Sequence, residues 1–154
     1  MNEPSVVLSV IRRALLVIFL LGTVATIAEL FLLEHTEGWQ IAPLVLLALS
    51  LVTFAWHALG KSKNGTRAFQ ATMLLFGAGG ILGTILHYNG NVEFELEMYP
   101  SLGGMELFLK ALHGAFPALA PGMMIHLGLV GLAYAYLHPY ITTTQTTDMK
   151  DKGV

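Results

Sequence analysis

The chain has 154 residues, of which 55% are apolar and only 12% carry charge, about half the charge of an ordinary soluble domain. A formal net charge of −2 with no basic run gives nucleic acid nothing to bind. The absence of cysteine excludes disulfides, thiolate metal sites, iron–sulfur clusters and c-type haem attachment.

Arg12 and Arg13 stand before an apolar run, as they would in a secretory signal. The run continues from Ala14 to Leu33 with only Glu29 interrupting. That is long for a signal, and Thr26-Ile27-Ala28 is a poor cleavage site, so a retained first span is expected. Its length, about 30 Å as a helix, matches the hydrocarbon thickness of a bilayer. Ile41–Leu59 is the second expected span, with Pro43 in its first turn, where a missing N–H costs little. Ala68–Leu86 is the third. The fourth starts near Pro121-Gly122, or upstream at Ala118, and runs to Leu137 before Pro139 stops it.

Between the third and fourth spans, Val92, Phe94, Leu96 and Met98 alternate with Glu93, Glu95 and Glu97. Period two places the three carboxylates on one face of an extended strand, with the loop around Gly38–Ile41 as its pairing partner. As a helix, the same stretch would keep Glu93 and Glu97 together and turn Glu95 away. After Pro100, Met105, Phe108, Leu109, Leu112 and Phe116 recur at helical spacing opposite Glu106, Lys110 and His113. This reads as an amphipathic helix lying in the interface, with Glu106 and Lys110 paired four residues apart.

The expected fold is an all-α integral membrane protein. It is a four-transmembrane-helix bundle over residues 1–141, with an amphipathic helix on its outer face and a short extended acidic segment between the third and fourth helices. A polar, disordered cytoplasmic tail follows over 142–154. Arg12, Arg13, Lys61, Lys63, Arg67, Lys150 and Lys152 fall on one side and Lys110 alone on the other. The positive-inside rule then places both termini in the cytoplasm of a cell whose inner membrane holds the chain. Gly79 and Gly83 in the third span, flanked by Gly77 and Gly80, allow close backbone approach, as do Gly128, Gly131 and Ala135 in the fourth. Packing within the chain is the first use for these faces. A second copy or another membrane protein, besides the lipid, is the other.

An ionisable side chain within a span costs roughly 2.5–3.5 kcal/mol at the membrane centre and needs a reason. Glu29, His87 and His126 fall at similar depth near the outer ends of three spans. Glu34, His35, His113 and Glu97 lie in the adjoining loops. Imidazole and carboxylate together suit a divalent metal such as zinc, copper(II), iron or manganese. Met98, Met105, Met123 and Met124 would help a copper(I) site, and His87 with His126 could ligate haem axially. No HExxH, helical ExxH or GxSxG pattern occurs. Hydrogen-bonded histidines and headgroup-facing acids are the simpler use of each residue alone. Inside the spans only Thr23, Thr26, Ser50, Thr53, Thr72 and Thr84 are polar along the depth, too few for a channel. The sequence therefore points to a non-enzymatic accessory or binding protein with a His/Glu-lined outer site. A metal- or haem-dependent membrane enzyme or redox subunit is the alternative.

Overall fold

The computed structural model describes residues 3–114 and 121–141. They are helical throughout: α1 (Glu3–Leu32), a single 3-10 turn (Gly38–Ile41), α2 (Ala42–Gly60), α3 (Lys63–Met98), α4 (Gly104–Leu112) and α5 (Gly122–Ala135). Phe116, Pro117, Ala118 and the tail 142–154 lie outside the described residues.

Three helices are long and apolar enough to cross a membrane: Val6–Leu32, Gly38–Gly60 and Lys63–Met98. The fourth expected span is a shorter apolar helix of 14 residues, about 21 Å, so a four-helix membrane bundle is not established. Many apolar side chains face outward, while several polar ones join the apolar core. Val17, Ile18, Leu21, Val45, Val52, Leu74 and Leu82 point outward, while Thr23, Thr26, Ser50, Thr53, His57, Thr66 and Thr72 are buried. Lipid would solvate the first set at no cost, and the second needs partners inside, which Thr23 Oγ1 lacks among the described residues. Four hydroxyls find them on their own helix: Thr26 donates to Gly22 O, Ser50 to Leu47 O, Thr53 to Leu49 O and Thr72 to Ala68 O.

Two compact units divide the chain, one built from the residues up to Phe76 and from Leu127 onward, the other from Gly77–His126. In the first, Phe19, Leu47, Phe69, Met73, Phe76 and Leu127 form the core. Phe19 meets Phe69 edge to face at 5.4 Å, and Phe54 meets Phe69 at 5.9 Å. Gly131 on α5 lies against Met73 and Phe69 of α3, and Gly22 on α1 against Leu127. In the second, Gly80 and Gly83 of α3 lie against Ile125 and Pro121. Gly83 of the expected pair and its neighbour Gly80 are thus close-approach positions on α3. On both helices glycines serve packing within the chain.

The expected extended segment is overturned. Val92–Met98 continues α3, and the loop expected to pair with it is the 3-10 turn. The physical reason is that a lone strand leaves its backbone groups unpaired, whereas extending an existing helix needs no new nucleus. Asn91 fixes the continuation: it is fully buried and its Nδ2 donates to Ala111 O at 2.9 Å, tying α3 to α4. The Tyr88 and Phe108 rings meet at a tilt across the same contact, with centroids 6.0 Å apart. As the helical alternative required, Glu93 and Glu97 are exposed and Glu95 is half-buried. The amphipathic helix is present as α4. Its Glu106 and Lys110 form an ion pair at 3.6 Å, and the Lys110 ammonium sits 4.5 Å from the Tyr99 ring centroid.

Candidate functional site

The most developed polar cluster in the first unit surrounds His57, near the C-terminal end of α2. The α2–α3 turn is tight. Lys61 caps α2 in the left-handed conformation, with φ 44°, and α3 begins at Lys63. This brings Thr66, one turn into α3, beside His57. Gly65 permits the approach, since a Cβ there would lie 3.1 Å from both His57 Cα and Trp56 O.

His57 has 0% of its surface exposed. Its Nδ1 lies 2.9 Å from Thr66 Oγ1 and its Nε2 lies 3.2 Å from the Tyr134 hydroxyl. Thr66 donates its own proton to Ser62 O at 3.0 Å, so its oxygen is the acceptor toward His57. That assigns the proton to Nδ1 and leaves Nε2 to accept from Tyr134. The imidazole is neutral, with both nitrogens committed. Aromatic groups complete its surroundings: Phe69 stacks at 6.0 Å, His138 stands edge-on at 4.6 Å and Tyr140 lies at 5.5 Å.

Beyond α5 the chain turns sharply at Leu137, where φ is 45°, ahead of Pro139. Arg12 of α1 secures this turn. Its Nη2 donates to Tyr136 O at 3.1 Å and Leu137 O at 2.9 Å, satisfying carbonyls that the helix end leaves free. Gln70 Nε2 donates to Ala135 O at 3.1 Å in the same way. Burial pushes the pKa of His138 down to about 4, and His57 and the Arg12 cation add to the shift.

That shift gives a pH prediction. Unfolded, His138 titrates near 6.5; folded, it stays neutral down to about 4. Its contribution to stability is therefore complete above pH 6.5, falls as the pH drops toward 4 and is flat below. Tyr134, Tyr140, His57 and Arg12 surround the ring, and none supplies a negative charge to hold an imidazolium. After allowance for its partial exposure, His138 should account for about 1–2 kcal/mol of acid destabilisation. Melting temperatures of wild type and His138→Phe in detergent, from pH 7 to pH 4.5, measure it. The wild type should lose more than the variant, and parallel curves would refute the assignment.

The residues expected to hold a metal are placed as follows. Glu29, Glu34 and Glu97 are exposed; His35 and His87 are half-buried; His113 and His126 are exposed. Among the described residues, no group of three His, Asp or Glu is arranged to hold a metal ion. The Nδ1 atoms of three of the histidines lie against backbone carbonyls: His35 on Leu33 O at 3.0 Å, His113 on Leu109 O at 2.9 Å and His126 on Gly122 O at 2.9 Å.

No known protein family, curated protein or solved structure matches the chain. Function has to be read from the residues themselves. Sequence reasoning uses Arg12 for topology alone and gives His57, Tyr134 and Tyr140 no role in a site, because nothing in their spacing along the chain, 77 residues between His57 and Tyr134, links them.

Proposed function

We propose that this chain is a non-enzymatic accessory or binding protein of a cell membrane, with both termini in the cytoplasm. The observation that carries the reading is the commitment of His57. An imidazole with both nitrogens hydrogen-bonded and no exposed surface has neither a lone pair nor a proton to offer a substrate. It joins α2, α3 and α5 instead. The outward apolar faces of the long helices and the exposed Glu93 and Glu97 at the end of α3 are left as surfaces for lipid and for a partner. Purification from native membranes in mild detergent, followed by native mass spectrometry, should yield a stoichiometric complex with another membrane protein. A clean monomer across several mild detergents would refute the accessory role.

A second reading keeps a metal at the outer end of the helices, with Glu29, Glu34, His35, His87, Glu97, His113 and His126 as the candidate donors. What favours it is the bonding of His35, His113 and His126. A histidine whose Nδ1–H donates to a carbonyl presents Nε2 as a ligand. Elemental analysis of the same preparations decides between the readings. Metal present in wild type and lost in the Glu29→Ala/His87→Ala/His126→Ala variant would support the site, and equal content in both would exclude it.

A further inference from the structure

The first unit holds a cavity of about 500 Å³ between α1 and the turn that follows α5, lined by Leu8, Arg12, Arg13, Leu16, His138 and Pro139 among others. It is an open groove rather than an enclosed void, so a ligand could enter it from outside. Two guanidinium groups border it, and no carboxylate does. The one ion pair among the described residues is Lys110 with Glu106, far along the chain, so neither arginine is neutralised by a side chain of the described residues. Arg12 is half-buried and immobilised through Nη2 by two carbonyls, which leaves its other N–H groups for a further acceptor. Arg13, the next residue, is exposed.

The position of the cavity along α1 says which anion it suits. The apolar run from Ala14 to Leu33 begins immediately after the two arginines. The guanidinium groups therefore stand where a membrane's hydrocarbon gives way to phosphates. Leu8, Leu16 and Pro139 supply apolar walls beside them. A phosphate ester attached to a hydrophobic body fits that combination of charge and grease, and guanidinium is the side chain best matched to phosphate oxygens.

We propose that this cavity binds a phosphate group, that of an anionic phospholipid headgroup, through Arg12 and Arg13. Delipidated full-length protein in a neutral detergent is titrated with phosphatidylglycerol, with phosphatidylcholine and with inorganic phosphate, and bound molecules are counted by native mass spectrometry alongside thermal protection. Phosphatidylglycerol should bind at least tenfold more tightly than phosphatidylcholine. Arg13→Gln, which disturbs no bond within the fold, should weaken phosphatidylglycerol about five- to tenfold, and Arg13→Lys should restore most of the loss. Arg12→Gln should weaken it further while also loosening the turn after α5, which is why Arg13 is the primary test. Protection by inorganic phosphate equal to that by phosphatidylglycerol would support the phosphate site and move its source to the aqueous phase. Equal binding of the two lipids, or unchanged binding in Arg13→Gln, would overturn the proposal.

Discussion

Replacing His57 by alanine should destabilise the protein by about 4–5 kcal/mol, the largest loss of any single substitution considered. Removing a fully buried ring leaves a void that its rigid aromatic neighbours cannot fill, and ring-to-alanine changes of this kind cost roughly 3–5 kcal/mol. The Tyr134 hydroxyl is simultaneously left without its acceptor, and an orphaned buried hydroxyl adds about 1–3 kcal/mol. Thr66 suffers less, because it still donates to Ser62 O. A pair of isosteric changes separates the two contributions. His57→Phe keeps the volume and orphans Tyr134; adding Tyr134→Phe removes the orphan. The double variant should therefore be more stable than His57→Phe alone. Thermal unfolding in detergent, followed by circular dichroism, reads all three. A His57→Ala change within 1 kcal/mol of wild type, or a double variant less stable than the single, would show that the cluster is not what binds α2 to α3 and α5.

The second large effect is expected at Gly80. A Cβ there would lie 2.6 Å from Ile125 Cγ1, 2.9 Å from Pro121 O and 3.0 Å from Ile125 N. Two of those three atoms are backbone, so a rotamer change cannot relieve the clash. The chain around Pro121 must move, and overpacking of this kind costs about 1–3 kcal/mol. Gly80→Val should fall at the upper end. The control lies on the same helix: at Gly77 a Cβ meets nothing within 4 Å. Gly77→Val should change stability by less than about 0.5 kcal/mol, because only helix propensity is altered. Equal losses for the two valines would mean that Gly80 is not a packing position.

Hydropathy made the greasy helices legible, since a membrane demands continuous apolar length and the chain supplies it in separate blocks. The amphipathic helix was legible too: Phe108, Leu109 and Leu112 against Glu106 and Lys110 repeat at helical spacing, and α4 covers them. The reading failed where local signals and tertiary contacts disagreed. His87, Asn89, Gly90 and Asn91 look like a turn, and the alternation after them looks like a strand. The fold overrides both, because Asn91 finds its partner in Ala111 O, 20 residues away. The candidate metal residues were chosen by depth, a one-dimensional property. Bringing donors to a single point requires azimuth around each helix as well, and amphipathicity cannot supply it in helices that are apolar all round. The buried polar cluster around His57 draws on residues far apart in sequence, from Arg12 to Tyr140, and mixes aromatic and basic side chains with histidine, so no search for ligand residues alone would find it.

The unbroken course of α3 carries a further implication. Its 36 residues rise about 54 Å, whereas a bilayer's hydrocarbon needs about 30 Å. With the stretch up to Leu86 in hydrocarbon, the remaining 12 residues lift Met98 roughly 18 Å along the axis, more than two screening lengths at physiological ionic strength. Measured from the outer edge of a headgroup layer about 5–8 Å thick, Glu97 stands roughly one screening length out and Glu93 less. Glu93 and Glu97 would answer there also to the field of whatever approaches from the water, carried on a stiff mast rather than on a floating loop.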